Sequence, residues 1–445
     1  LGPLKLPAQL ASRRWRPTWG VFLAALLLRS ALLAAALIAG GPGSLLLGDS
    51  FEYLELAESL AAQGRFFRGG EPELLRLPAY PALLTLGVLV GHPIAVAVIL
   101  QALLGAATVV WVHSMARSAA GDRAALFAGL MCACEPVTLA WGCYLMAETL
   151  LTACVTLGVL FAVRYQLTGR ARSLYAACVC ACAAAYVKPV AFLFPIWMAL
   201  LLLGRALVSK DRGLRLQHAA AFLVLAGGLL SLWPLRNGLS AGYWGFSRQV
   251  AHLAAASVFQ FEMRRGSVPV EARAALRPRP LPLLEGGAAA DAAARSRVKE
   301  TLLSSAPAYL RYLAGGMLRT LFAPGATTYL ELFGVLRRNP ELKRVNDERG
   351  AVALAGMLIR QAPAAAWLWA GLAALNAALV AMAALAFTGE PQRWRLALLA
   401  GCASYFVLAS GGAWAQSRLR HPVMPSLCVL AGSALARRWP AAPRP

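Results

Sequence analysis

Apolar residues run in long uninterrupted blocks along this chain, and polar and basic residues gather in the short gaps between the blocks. Apolar runs of about 18 residues or more are long enough to cross a hydrocarbon core of about 30 Å as helices. The pattern predicts ten such stretches, at 18–40, 93–116, 122–141, 147–165, 173–187, 190–204, 216–235, 364–387, 395–411 and 422–436. Between the first and second lies a polar stretch, GDSFEYLELAESLAAQGRF, in which Glu52, Glu55 and Glu58 recur every third residue opposite Phe51, Leu54, Leu56 and Leu60. That spacing predicts an amphipathic helix on a membrane surface. The expected fold class is an all-α polytopic membrane protein of about ten transmembrane helices, with interfacial helices in its external loops.

Charge fixes the expected orientation. The chain is 59% hydrophobic and 14% charged, with a formal net charge of +23. A balance so basic raises nucleic acid as a partner, but the cations fall in short loops between apolar stretches, where the positive-inside rule places them. Nucleic acid is therefore excluded. Arg16, Arg117, Arg123, Arg164, Arg170, Arg205, Arg215, Arg393, Arg437 and Arg438 all fall on one side if the N-terminus is cytoplasmic. Both termini are then expected inside, and the first stretch is expected to stay in place as an anchor.

Three parts follow. Residues 1–235 form an N-terminal transmembrane module whose first external loop is 41–92, residues 236–362 form a long external loop, and 363–445 form a C-terminal transmembrane module. Within the long loop, 304–322 has the length of a span, but Arg311 and Arg319 interrupt it, and it reads as an interfacial helix. Residues 264–294, rich in Arg, Pro, Gly and Ala, read as a flexible linker. The nine cysteines lie mostly in apolar stretches; Cys178, Cys180 and Cys182 lack zinc-ligand spacing and read as small packing residues. Arg29 is the clear ionisable residue near the centre of a span and is expected to face the bundle interior.

Candidate chemistry gathers on the external side. Asp49 and Glu52 fit the spacing of a capping box, so Asp49 reads either as a helix cap or as a catalytic acid. Arg76, ahead of a Pro-containing turn, is placed either to pair with a lipid-linked phosphate or to reach lipid headgroups. Glu148 at the outer start of the fourth stretch, Lys188 in a brief external turn, Arg236 after the seventh, and Arg418 and Arg420 before the last converge on the same side. Five cations and several carboxylates at one face suggest a pocket that holds a phosphate and offers a carboxylate as base.

Taken in order, these segments resemble the glycosyltransferase-C superfamily, specifically polyprenyl-phosphate-sugar transferases related to protein mannosyltransferases, aminoarabinose transferases and rhizobial lipopolysaccharide-core transferases. GDSFEYLELAESLAAQGRF resembles the first external loop of that family, RLPAYPALL its Arg/Lys-x-Pro-x-Tyr-Pro element, WPLRNGLSAGYWGFS a segment after its seventh span with Trp and Pro inverted, and RLRHPVMPSLCVLAG its closing span. The likeness covers most of the chain outside about 240–360. It implies an inverting transferase of the cell inner (plasma) membrane, multi-pass, whose extracytoplasmic cavity receives a polyprenyl-phosphate-linked sugar and an extracytoplasmic acceptor. It further implies a catalytic set of Asp49 as general base, Glu52 as its support or as a cap, and Glu148 to orient the acceptor or a cation, with Tyr53, Arg76, Tyr80, Lys188, Arg236, Asn237, Arg418 and Arg420 as substrate-binding residues. No cofactor is certain from it. Where some relatives pair Asp with Glu in the first loop, this chain has Asp49-Ser50, which leaves a divalent cation open and its ligands unknown. Two other readings fit the same cations: a non-catalytic carrier of lipid-linked sugars, and a polymerase or ligase using a diphosphate-linked donor.

Overall fold

The computed structural model describes residues 16–209, 211–265, 287–361, 364–388, 393–412 and 415–439. Among these the fold is helical, apart from one two-stranded hairpin. The helices in chain order are α1 Arg16–Gly40, α2 Gly48–Gln63, α3 Ala79–Leu89, α4 Pro93–Ala133, α5 Pro136–Trp141, α6 Glu148–Thr168, α7 Ala171–Val187, α8 Phe194–Leu207, α9 Arg212–Ala241 and α10 Gln249–Arg265. They continue with α11 Gly287–Phe322, α12 Ala326–Leu332, α13 Val335–Arg338, α14 Pro340–Gln361, α15 Ala364–Ala384, α16 Arg393–Ala409 and α17 Met424–Arg438.

Six helices among the described residues are long and apolar enough to cross a membrane: Thr18–Gly40, Pro93–Ala133, Glu148–Thr168, Pro189–Leu207, Arg212–Ala241 and Trp367–Phe387. The expected spans at 93–116 and 122–141 differ from this. They share one helical run, α4, broken at Gly121, whose φ of 87° is a conformation that suits glycine. That run stops at Ala133, and Pro136 opens the short α5, so 122–141 is not one continuous helix. The stretches at 173–187 and 395–411 form shorter apolar helices, and the last forms α17.

Small residues bring the central helices together. Gly432 of α17 faces Ala124 and Ala128 of α4 so closely that a Cβ there would lie 2.7 Å from the Ala128 amide nitrogen. Without a hydrophobic drive between helices in lipid, such backbone approach is what holds them. Residues 424–434 of α17 are buried throughout, whereas α1 exposes Leu23, Leu27 and Ile38. All nine cysteines are free, and six of them are buried, consistent with packing roles.

The region after the seventh stretch is more regular than expected. α9 runs past Pro234 to Ala241, so Arg236 and Asn237 are helical residues and do not lie beyond the helix. The segment 304–322 is the second half of α11, which breaks at Ser305, two residues before Pro307. The expected linker at 264–294 falls largely outside the described residues, and its last eight residues begin α11.

Candidate active site

The site is assembled from the start of α2. The expected capping box at Asp49 and Glu52 does not form: the N-cap is Leu47, two residues earlier, whose side chain cannot accept a hydrogen bond, and only the reciprocal half of a box is made, by Ser50, whose Oγ accepts the Leu47 amide at 3.0 Å. The Ser50 hydroxyl also donates to Leu145 O at 2.8 Å, and the Leu145 amide donates to Leu45 O at 2.9 Å. Two distant segments are thereby stitched together, and the second leads three residues on into Glu148. Ser50 takes the capping work and leaves the Asp49 carboxylate for other partners.

Those partners are arginines. Arg76 Nη2 donates to Asp49 Oδ1 at 2.8 Å and its Nε to Glu52 Oε2 at 2.7 Å, while Arg418 Nη1 stands 3.8 Å from Asp49 Oδ2. One Asp49 oxygen is firmly paired and the other is loosely held. Burial pushes the Asp49 carboxyl up, but Arg76, Arg418 and Lys188 outweigh it and hold the group below the ordinary carboxylate range.

A hairpin sets Arg76 in place. β1 (Phe67–Arg68) and β2 (Glu71–Pro72) pair antiparallel across Gly69 and Gly70, with φ of 58° and 85°. Just beyond β2, the buried Glu73 carboxylate accepts the Leu75 and Arg76 amides at 2.5 and 3.1 Å and pairs with Arg68 Nε at 2.8 Å. Arg68 in turn meets Glu52 at 2.7 Å. From α9, Arg236 donates to Glu73 O at 2.9 Å and to Phe66 O at 2.7 Å, closing both ends of the hairpin.

Behind Asp49 lies a second pair. Lys188 follows the last turn of α7 in an extended conformation ahead of Pro189, and its Nζ donates to Glu148 Oε1 at 2.5 Å. Glu148, Lys188, Phe406, Ser410, Arg418 and Leu419 line one cavity. Glu148 Oε2 and Arg418 Nε are buried with no protein partner. Arg418 thus touches Asp49 on one side and faces Glu148 across the cavity on the other.

Of the residues expected at the site, Asp49, Glu52, Arg76, Glu148, Lys188 and Arg418 come together. The others turn elsewhere. Tyr53 and Tyr80 are buried edge to face at 4.9 Å, with the Arg76 guanidinium 5.2 Å above the Tyr53 ring and the Tyr80 hydroxyl donating to Gln101 at 2.7 Å. Asn237 is buried and donates to Gly245 O at 2.8 Å. Arg420 is buried and donates to the carbonyls of Thr320, Leu321 and Ala323 at the end of α11. Tyr80, Asn237 and Arg236 donate to the protein itself, Arg420 does so through Nη1 while its Nε and Nη2 are buried without a hydrogen-bond partner, and Tyr53 packs under Arg76. Glu73, Arg68 and Ser50 were not expected; the Gly-Gly pair between Arg68 and Glu71 is a hairpin signal that points to the first two. No group of three or more His, Cys, Asp or Glu suited to a metal ion occurs among the described residues. Asp49 and Glu52 are each bound to arginine, which is a poor fit to a divalent cation held by this pair.

The chain resembles known proteins in two ways. Residues 72–235 match the family described as dolichyl-phosphate-mannose-protein mannosyltransferase. No curated protein matches the sequence. Among solved structures, the archaeal oligosaccharyltransferase AglB of Archaeoglobus fulgidus, in complex with an inhibitory peptide and a dolichol-phosphate, superposes with a TM-score of 0.50 at 14% identity over 96% of this chain. The chain spans 50% of that protein's length. ArnT of Cupriavidus metallidurans, bound to undecaprenyl phosphate, aligns at 17% identity over 92% of this chain and 77% of its own, with a TM-score of 0.39. The chain thus has a segment similar to that mannosyltransferase family and shares its fold with an oligosaccharyltransferase.

Proposed function

We propose that this chain is a glycosyltransferase of the cell inner membrane that moves a sugar from a polyprenyl-phosphate donor to an acceptor hydroxyl on the extracytoplasmic side, with both termini in the cytoplasm. The observation that carries this reading is the Asp49 corner: an ionised carboxylate with one oxygen fixed by Arg76 and the other loosely held, beside a cavity bordered by Lys188 and Arg418. The fixed oxygen orients the carboxylate. The loose one accepts the proton of an acceptor hydroxyl as that oxygen attacks the anomeric carbon.

The bond that breaks joins the anomeric carbon to the phosphate oxygen, so negative charge grows on the departing polyprenyl phosphate. Arg418 and Lys188, with Arg76 at the rim, supply preorganised positive charge at that point. Attack opposite the leaving group inverts the anomeric centre. Glu148 holds Lys188 toward the cavity through their 2.5 Å pair. A polyprenyl phosphate as leaving group is supported by the shared fold of an oligosaccharyltransferase captured with dolichol-phosphate. The acceptor is a lipid, glycan or protein presented on the extracytoplasmic side.

The test is transfer from a panel of polyprenyl-phosphate hexoses and pentoses in proteoliposomes, supplied with a membrane extract as acceptor, with product stereochemistry read by NMR. Release of polyprenyl phosphate with an inverted glycosidic product supports the reading. A donor that is bound, moved across the bilayer and recovered intact supports a carrier.

A further inference from the structure

A second cavity lies deeper in the bundle, lined by Arg29, Thr108, Cys132, Thr138, Thr149 and Thr152 together with His421. Its lining includes a guanidinium and four threonines but no carboxylate. Arg29 sits near the middle of α1 and is buried, and the protein gives it one acceptor, Ala25 O at 3.1 Å. Gly105 of α4 makes room for it: a Cβ there would collide with Arg29 Nε. The chain therefore keeps space for a cation in the interior of a transmembrane bundle and meets it with a single backbone carbonyl.

The hydroxyls around it differ in one respect. Thr108 donates to Leu104 O at 2.8 Å, Thr138 donates to Glu135 O at 3.0 Å, and Thr152 meets His421 Nδ1 at 2.5 Å. Thr149 Oγ1 is buried with no partner. Burial holds the His421 imidazole down at about 4, so it adds no charge near neutral pH. Each nearby carboxylate already faces another cation. Glu148 matches Lys188, and Glu135 stands 4.0 Å from Arg420 while accepting the Thr138 amide at 2.6 Å. Among the described residues no carboxylate lies within ion-pair distance of Arg29, and the one whose field reaches it, Glu135, also faces Arg420, so positive charge is in excess at the cavity. Leaving a buried charge uncompensated costs several kcal/mol, and an ionisable residue inside a bundle ordinarily has a partner.

We propose that this cavity binds a monovalent anion of halide size, held by the Arg29 guanidinium and the Thr149 hydroxyl. The ion supplies the missing counter-charge and ties α1 to α4 and α6. The site is independent of sugar transfer, and its test has no catalytic readout.

The full chain, purified in detergent, is melted in sodium gluconate, chloride or bromide at matched ionic strength. Chloride and bromide are expected to raise the melting temperature saturably by about 2–4 °C over gluconate, and bromide should give anomalous density in the cavity. Thr149→Val, nearly isosteric, should raise the half-saturating chloride concentration about tenfold, the loss of one hydrogen bond to a charged group. Arg29→Gln should abolish the halide response. Identical melting of the wild type in gluconate and chloride, or an unchanged chloride midpoint in Thr149→Val, would mean that the cavity holds only water and overturn the proposal.

Discussion

Two ion-paired corners meet at Arg418, and they differ in how far they can change partners. The Asp49 side chain is 31% exposed and shares itself between two arginines, one close and one distant, whereas Glu148 is 2% exposed and pairs with Lys188. A partly exposed carboxylate gives up a contact to water or substrate at smaller cost than a buried one, because solvent screens its pairs. A buried pair has no such freedom, since removing either partner strands a charge. The comparison teaches a division of labour for the proposed reaction: the outer corner is free to exchange partners, and the inner pair holds the cavity's shape.

The largest effect should come from the inner pair. Lys188→Met leaves Glu148 buried and alone, with an expected loss of about 3–5 kcal/mol in stability; the double variant with Glu148→Gln should recover most of it. Denaturant melts of the singles and the double check this, and a Lys188→Met chain as stable as wild type would erase the distinction between the corners. Next is Glu73→Gln, which weakens acceptance of the Leu75 and Arg76 amides and the pair with Arg68. About 1–3 kcal/mol is expected, also from denaturant melts.

The outer corner should respond in pH rather than in stability. Asp49 is held below its ordinary pKa, so the acid limb of the rate should lie below the usual carboxylate value of about 4. Arg76→Gln removes the closest cation and should move that limb upward on a pH–rate profile. The sign for stability agrees: a carboxylate with a depressed folded pKa contributes stability above its unfolded pKa, and this is lost as pH falls through the folded one. An acid limb that stays in place would separate Asp49 from the chemistry. The smallest effect is expected from Ser50→Ala, about 1 kcal/mol for a lost cap, read by thermal melts.

The apolar blocks made the helices legible, because helices in lipid must be long and apolar. Their interruptions were harder to read. Gly121 and Pro136 divide the second and third expected spans in ways that apolarity alone does not display. Asp49, Arg76, Glu148, Lys188 and Arg418 were legible as charges expected at one face of the bundle. Their division into a rim and a buried pair was not, because it depends on the Ser50 link to Leu145 between segments 95 residues apart. Arg236 and Arg420 show the reverse: a cation at a helix end reads as a phosphate ligand in sequence, but in the fold both guanidiniums turn to backbone carbonyls, Arg236 through both Nη atoms and Arg420 through Nη1. Side-chain type was visible in the sequence; the partner was decided by packing.

The central claim is that the loosely held Asp49 oxygen takes the acceptor proton. Its most direct test is release of polyprenyl phosphate by wild type and Asp49→Asn, compared at equal donor occupancy in proteoliposomes with acceptor present. The account predicts a loss of at least about 10²-fold in the variant, the contribution of a missing general base, with melting temperature nearly unchanged. Equal rates for the two chains would contradict it and leave Asp49 as an anchor for Arg76.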